Sequence, residues 1–438
     1  MAATISIGLA GLGNVGAGVY KNLERNGDLL AERTGHRFEV TRVAVRHPAK
    51  KRDVDVPAAK LTSHWRDLIT DPSIQVIVEL IGGVTEAHEL VKSALEAGKI
   101  VVTGNKALLA EHGHELIALA EKMDVPLYFE AAVAGGIPII KSVREALVGN
   151  HIQAIYGIIN GTSNFILTQM ARRGLDYRTA LAEAQQKGYA EADPALDVNG
   201  WDAAHKAIIL AWLSYGLWVR PNEIVVDGIE DVSAADIRLA ATLGYTIKLL
   251  AVVRLHHDRR IEVRVQPTLI PSSHILASVN DVFNAVVVHG DIVGETLFYG
   301  SGAGQNATSS AVIADLADAA HNLSKNPGCQ GFLPSGYYGQ AVTIDETVSP
   351  YYIRLRVEDR PGVIAQVTSV IAHHNIGLSS LVQPKVQDGG HADLMLMMHA
   401  APFGRMRAAL AGLAKLACVT EKPILMRVEN FDPEIHSH

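Results

Sequence analysis

The densest chemistry in the chain lies in the stretch Gly188-Tyr189-Ala190-Glu191-Ala192-Asp193-Pro194-Ala195-Leu196-Asp197-Val198-Asn199-Gly200-Trp201-Asp202-Ala203-Ala204-His205-Lys206. Four carboxylates (Glu191, Asp193, Asp197 and Asp202) and Lys206 fall within sixteen positions. Carboxylates accept hydrogen bonds, and an amine can exchange a proton when its surroundings lower its pKa. Asp202 and Lys206 are spaced i,i+4 and so share one face of any helix that spans them. The rest of that helix is apolar, from Ala203 and Ala204 to Ala207, Ile208, Ile209 and Leu210. A lysine in that setting is either a solvated face residue or a functional amine beside a cleft, and residue types alone leave both open.

A second constellation stands at the start. Gly11-Leu12-Gly13-Asn14-Val15-Gly16 fits G-x-G-x-x-G. It follows a strand pattern, TISIGLA at 4–10, and opens a helical one through Val19, Tyr20 and Leu23. In that context the glycines let the backbone approach a pyrophosphate, and the helix start supplies free N–H groups and positive potential. The turn predicts a nicotinamide dinucleotide and places Gly11, Gly13, Asn14, Val15 and Gly16 against it. An NAD-selective site carries an acid at the end of the second strand, to hold the ribose 2′-hydroxyl. That place holds Arg46, with Lys50 four residues on. Cations suit a 2′-phosphate, so the reading is NADP, with NAD as the alternative.

These residues need a scaffold. Strand patterns recur at 38–45, 74–80, 99–104 and 126–133, with helical stretches at 86–97 and 107–123. Strands alternating with helices imply an α/β, Rossmann-like parallel sheet over 1–138, completed by a helix at about 300–322 after the glycine turn Gly300-Ser301-Gly302-Ala303-Gly304. Residues 139–299 read as an α+β substrate-binding domain, with a strand at 152–160, helices over 164–187 and 202–215, and antiparallel strands at 246–254, 260–267 and 286–289. Residues 323–350, rich in Gly, Pro and Ser from 326 to 349, read as a linker. Residues 351–430 then read strand, helix, strand, strand, helix, strand, the ferredoxin-like βαββαβ order.

Composition bounds the function. With 39 basic against 46 acidic side chains the net charge is −7, and the one basic run, Lys50-Lys51-Arg52, is short. That balance argues against nucleic acid, and the run itself reads as a solvated loop. Two cysteines, Cys329 and Cys418, imply no disulfide framework. The opening residues show no basic leader, and no apolar run reaches the roughly 18 residues of a membrane span. A cytoplasmic location with no membrane partner is expected.

Taken together, several ordered motifs resemble homoserine dehydrogenases. Besides 188–206 and the first glycine turn, they include Val101-Val102-Thr103-Gly104-Asn105-Lys106, Glu130-Ala131-Ala132-Val133-Ala134-Gly135-Gly136-Ile137-Pro138, Gly157-Ile158-Ile159-Asn160-Gly161-Thr162-Ser163-Asn164-Phe165, and Gly300–Gly304. The resemblance implies reversible NAD(P)-linked reduction of L-aspartate 4-semialdehyde to L-homoserine, a step toward threonine, methionine and isoleucine. It matches Lys206 to the family's acid–base lysine, with Asp202 orienting that amine or a bridging water. Glu191 matches the residue that binds the substrate, and its charge suits the α-ammonium; Asp197 supports the same network. Thr103, Lys106 and Gly302 fall beside the cofactor, and Lys106 is a second candidate for the proton transfer. The 130–138 turn resembles a monovalent-cation site, usually sodium, with the Glu130 carboxylate and the carbonyls of Val133, Gly135 and Ile137 as hard oxygen ligands. Two positions depart from the family pattern: Gly104 stands where alanine is usual, and Gln305-Asn306-Ala307-Thr308 lacks a common proline.

Asp359-Arg360-Pro361-Gly362-Val363 and Asn375-Ile376-Gly377-Leu378 resemble the turns of ACT domains. That resemblance implies feedback control by an amino acid, threonine above all, and a homo-oligomer, dimer or tetramer. A dimerisation module without a ligand is the alternative. Nothing resembling an aspartate kinase precedes the first domain, so a monofunctional enzyme is expected. Two rival functions are weaker. A semialdehyde dehydrogenase of the aldehyde-oxidising kind needs a cysteine nucleophile, and Cys329 and Cys418 fall in the linker and the C-terminal unit. A non-enzymatic sensor would have no need of both Asp202 and Lys206.

Overall fold

The computed structural model describes residues 3–324, 339–383 and 390–431. Cys329 and the centre of the expected linker lie outside them. The chain divides into two compact units, one of Met1–Ile152, His205–Pro221 and Phe283–Tyr337, the other of Gln153–Ala204, Asn222–Val282 and Tyr338–His438.

The first unit begins with β1 (Ala3–Ala10), α1 (Asn14–Arg25), α2 (Gly27–Thr34), β2 (His36–Ala44), β3 (Leu61–Thr62), α3 (Arg66–Thr70), β4 (Val76–Glu79), α4 (Thr85–Glu96), β5 (Ile100–Thr103), α5 (Lys106–Met123), β6 (Leu127–Tyr128) and α6 (Ile139–Lys141). Its sheet is parallel throughout, in the order β3-β2-β1-β4-β5-β6. Ile7, Leu9, Val76, Ile77, Val78, Val101 and Val102 are fully buried, because a parallel sheet is covered on both faces.

The order reverses between β1 and β4, where doubly wound sheets bind ligands. The expected strand at 126–133 is only two residues long. The chain leaves the sheet as a 3₁₀ turn at Glu130–Ala132, because the Glu130 N–H donates to the Asp315 carboxylate instead of a neighbouring strand.

The second unit takes in β7 (Ile152–Ile158), α7 (Gly161–Arg173), α8 (Tyr177–Gln186), α9 (Ala195–Val198), α10 (Trp201–Tyr215, which runs on into the first unit), β8 (Val225–Val226), α11 (Ala234–Thr242), β9 (Tyr245–Leu255) and β10 (Ile261–Pro271). The chain then returns to the first unit as an antiparallel hairpin, β11 (Phe283–Gly290) and β12 (Gly294–Ser301), and α12 (Gln305–Ser324). Ala311, Val312, Leu316, Ala319 and Ala320 of α12 share one core with Val19, Tyr20 and Leu23 of α1.

The C-terminal part of the second unit holds β13 (Val348–Glu358), α13 (Val363–His373), β14 (Leu378–Val382), β15 (His391–Pro402), α14 (Phe403–Leu413) and β16 (Ile424–Val428), in the order βαββαβ. Its strands lie β16-β13-β15-β14. The described end of the expected linker is more structured than a linker. Val342 donates to the Ile261 carbonyl, a 3₁₀ turn spans Ile344–Glu346, and β13 begins before 351.

Within the second unit this small sheet is continuous with β9 and β10, since β16 pairs parallel to β10 through Thr268 with Arg427 and Leu269 with Val428. A buried ionic cluster locks the seam. The Glu429 carboxylate receives Arg254 at 2.6 Å and Arg264 at 2.9 Å, and Arg264 also reaches Glu262 at 2.7 Å. Burial alone would raise the pKa of both glutamates. Arg254 beside Glu429 and Arg264 beside both outweigh it and hold them low.

Candidate dinucleotide and active site

The first glycine turn is shaped by close backbone contacts. Gly11 has φ +100, and a Cβ there would lie 2.4 Å from the Leu80 carbonyl. A Cβ on Gly16 would lie 2.1 Å from the Gly11 carbonyl, whereas one on Gly13 would meet nothing within 4 Å. The turn is therefore closed where it folds on itself and open at Gly13, the N-cap of α1. That is the cradle a pyrophosphate requires, so the residues fit a bound dinucleotide. Gln305 at the start of α12 donates to the Asn14 side chain at 3.3 Å, a contact that sequence reading missed.

A cavity of about 460 Å³ opens beside this turn. Gly11, Gly13 and Asn14 line it together with Arg46, Lys50, Lys51, Arg52, Ser63, Trp65 and Glu86. Arg46 and Lys50 both line this cavity. Lys51 and Arg52, expected in a solvated loop, line the cavity too. Arg52 ties the loop by donating to the carbonyls of His47 and Lys50, both at 2.7 Å. Glu86 stands 3.6 Å from Arg46. Its position at the start of α4 gave no sequence signal.

At the carboxyl ends of β4 and β5, Glu79 and Thr103 pair at 2.5 Å. Burial raises the Glu79 pKa despite the bonds from Thr103 and the Ile81 N–H. The Thr103 hydroxyl accepts the Asn105 N–H, and the Asn105 side chain caps α5 by accepting the Leu108 N–H at 3.1 Å. Lys106, the first residue of α5, is thereby fixed at the carboxyl end of β5.

In the second unit Asn160 is the hub. One amide nitrogen donates to Asp197 at 2.8 Å and to Asp202 at 2.9 Å, while its oxygen caps α7 at Ser163. The Ser163 hydroxyl returns to the Asp197 carbonyl at 2.8 Å. Asp202 is 7 % exposed and Lys206, one turn on along α10, is 8 % exposed, so both are buried rather than solvated. Glu191 sits in the loop ahead of α9 and is exposed. Sequence reading named the two aspartates but passed over Asn160 as the link between them.

The 130–138 turn packs onto the late glycine turn. Gly136 donates to the Ser301 carbonyl at 3.0 Å. Ala134 and Gly135 both take positive φ, and a Cβ on Gly135 would lie 2.5 Å from the Gly302 carbonyl. Gly302 has its own steric cause, since a Cβ would lie 1.8 Å from the Asn284 amide. Val133 and Ile137 are fully or almost fully buried. The Glu130 carboxylate accepts the N–H groups of Ile140 and Lys141 at 3.0 and 2.7 Å. Burial nonetheless pushes its pKa up to about 7. Asp315 is pushed well above the usual carboxylate range by burial and by Glu130.

Comparison with known proteins gives one answer. Residues 11–130 match the NAD-binding domain model of homoserine dehydrogenase, residues 138–317 the homoserine dehydrogenase model, and residues 351–415 the ACT domain model. The Pseudomonas aeruginosa homoserine dehydrogenase is 43 % identical over 434 residues, covering 98 % of this chain and 99 % of that protein. The crystal structure of the Thiobacillus denitrificans homoserine dehydrogenase superposes with a TM-score of 0.90 at 40 % identity, covering 98 % of this chain and 99 % of that one. A hyperthermophilic archaeal homoserine dehydrogenase in complex with NADPH gives a TM-score of 0.61 at 29 % identity, over 74 % of this chain and 99 % of that one. The glycine turn, the parallel sheet, the capped Lys106 and the Asn160 network thus stand in a chain that belongs to the homoserine dehydrogenase family, with an ACT domain at its C-terminal end.

Proposed function

We propose that Lys206 takes and returns the hydroxyl proton in this family's reaction, the reversible NAD(P)-linked interconversion of L-homoserine and L-aspartate 4-semialdehyde. The observation that carries this is the Asn160 amide, which yokes Asp197 and Asp202 at the entry to α10. The nicotinamide, when bound, supplies or accepts the hydride. The protein must then hold the substrate still, keep water out and move one proton. Lys206 is buried on α10, and Asp202 one turn earlier orients its amine or a bridging water. Glu191 binds the α-ammonium, and Asp197 fixes the loop that presents it. Lys106, at a capped helix start, is the second candidate for proton transfer.

The dinucleotide is NADP rather than NAD in this reading. Arg46 and Lys50 in the cavity suit a 2′-phosphate, and no acid stands at the strand end. Gly11, Gly13, Asn14, Val15 and Gly16 hold the pyrophosphate, with Thr103, Lys106 and Gly302 near the nicotinamide. A monovalent cation, sodium, belongs at the 130–138 turn, with Glu130 and the carbonyls of Val133, Gly135 and Ile137 as ligands. Two buried carboxylates with raised pKa values, Glu130 and Asp315, support a positive guest there.

We assign residues 1–138 and about 300–322 to dinucleotide binding, 139–299 to substrate and 351–430 to feedback control by threonine, in a cytoplasmic dimer or tetramer. None of the described helices is long and apolar enough to cross a membrane. Purified protein with homoserine and NADP, and separately NAD, tests the reading through the absorbance of reduced nicotinamide. Turnover with NADP, inhibited by threonine, supports it. No reduction of either dinucleotide from neutral to alkaline pH overturns it.

A further inference from the structure

Two histidines and a glutamate converge on the paired helices α4 and α5, outside the residues assigned above. His88 lies on α4, and His112 and Glu115 lie on α5. The His88 Nε2 and the His112 Nδ1 both meet the same carboxylate oxygen of Glu115, the second at 3.5 Å. The two imidazole rings are 4.4 Å apart. One ligand atom from each of the three residues lies within 4.8 Å of the others.

We propose that this cluster binds a single divalent cation of the zinc class. The convergence of two imidazole nitrogens on one oxygen marks the point a metal would occupy once the carboxylate swings aside to ligate it. Tetrahedral zinc holds nitrogen and oxygen donors at about 2.0–2.2 Å, which sets those donors about 3.3–3.6 Å from one another. Side-chain rotations that draw the donors in by a little over about 1 Å close the gap from 4.8 Å. The donor set selects the metal class, because imidazole suits zinc, nickel and copper, whereas magnesium and calcium prefer all-oxygen sites.

The backbone frame is already set. His112 and Glu115 are spaced i,i+3 on one helix, and α4 packs against α5. Three protein ligands leave a fourth position for water. His88 is 22 % exposed and His112 37 %, so the site is open to entering metal yet partly shielded. Its location gives it a consequence for the dinucleotide cavity. Glu86, two residues before His88, lines that cavity beside Arg46. A cation fastening α4 to α5 steadies the turn that carries Glu86.

The test is calorimetric titration of the tag-free full-length protein with Zn²⁺, alongside Co²⁺ titration followed by visible absorption. The expected result is one Zn²⁺ per chain at the tightest site, a tetrahedral Co²⁺ band, and no comparable binding of Mg²⁺. His88→Gln and Glu115→Gln should each weaken Zn²⁺ binding at least about tenfold and diminish the Co²⁺ band. Glu115 is 56 % exposed, so its variant tests the site without risk to the core. His374→Gln, at a histidine elsewhere on the surface, should change neither. Zn²⁺ affinity unchanged in both site variants, or equal loss in His374→Gln, overturns the proposal. So does the absence of any Co²⁺ band with metal in large excess.

Discussion

Two single-methyl substitutions in the first glycine turn should both weaken dinucleotide binding but differ in stability. In Gly16→Ala the new Cβ lies 2.1 Å from the Gly11 carbonyl, so backbone must retreat by close to an ångström before the contact reaches 3.0 Å. Overpacking of that kind costs about 1–3 kcal/mol. In Gly13→Ala the new Cβ meets nothing within 4 Å, and the residue's φ of −78 suits alanine. The dinucleotide-free protein should therefore keep its stability within about 1 kcal/mol, since reduced freedom of the unfolded chain offsets a slightly poorer cap. Gly13 is nonetheless where the pyrophosphate must come close, so the methyl group should weaken dinucleotide binding at least tenfold, about 1.4 kcal/mol. Urea unfolding without dinucleotide measures the first effect, and fluorescence titration with NADPH the second. Gly16→Ala should lose stability as well as binding. Wild-type binding by Gly13→Ala, or wild-type stability of Gly16→Ala, would overturn this picture of the turn.

Other outcomes follow from the same structure. Arg46→Ala should raise the KM for NADP about tenfold, the worth of one charge-assisted phosphate contact, and leave that for NAD little changed, in steady-state assays with both dinucleotides. Asn160→Ala unyokes Asp197 from Asp202; kcat/KM for homoserine should fall about tenfold to a hundredfold while NADPH affinity holds. Lys248 is 1 % exposed, donates to Asn164 and the Val279 carbonyl, and is brought down to about 8 by burial. An unfolded lysine titrates near 10.4, so between these values the unfolded chain holds more protons. Stability from this group then rises as pH climbs from about 8 to 10.4, by roughly 3 kcal/mol, and urea titrations of Lys248→Met should lack that rise.

The alternation of apolar runs and helical periods fixed the parallel sheet because β1, β4 and β5 are short, continuous and buried on both faces. The same signal misled at 126–133, where the apolar run PLYFEAAV continues but Glu130 gives its N–H to Asp315, far along the chain. The glycine turn was legible because its spacing carries its own mechanism. Arg46 was legible by its place after β2, whereas Glu86, Ser63 and Trp65 reach the cavity only through tertiary packing. Asp197, Asp202 and Lys206 stood out as charges in one short stretch. Asn160, the neutral amide that joins the two aspartates, lies 37 and 42 residues away from them, and no local pattern announces a contact at that separation. The seam between β10 and β16 was equally hidden, since it rests on Arg254 of β9, Arg264 of β10 and Glu429 just past β16.

Lys206 as the proton carrier of homoserine oxidation meets its sharpest test in one comparison. Wild-type protein and Lys206→Ala are assayed for NADP reduction by homoserine, with urea unfolding and NADPH affinity measured on the same preparations. In Lys206→Ala kcat should fall by about 10²–10⁴ while fold stability and NADPH affinity stay close to wild type. A variant that folds, binds NADPH and turns over homoserine within a few-fold of wild type would contradict it.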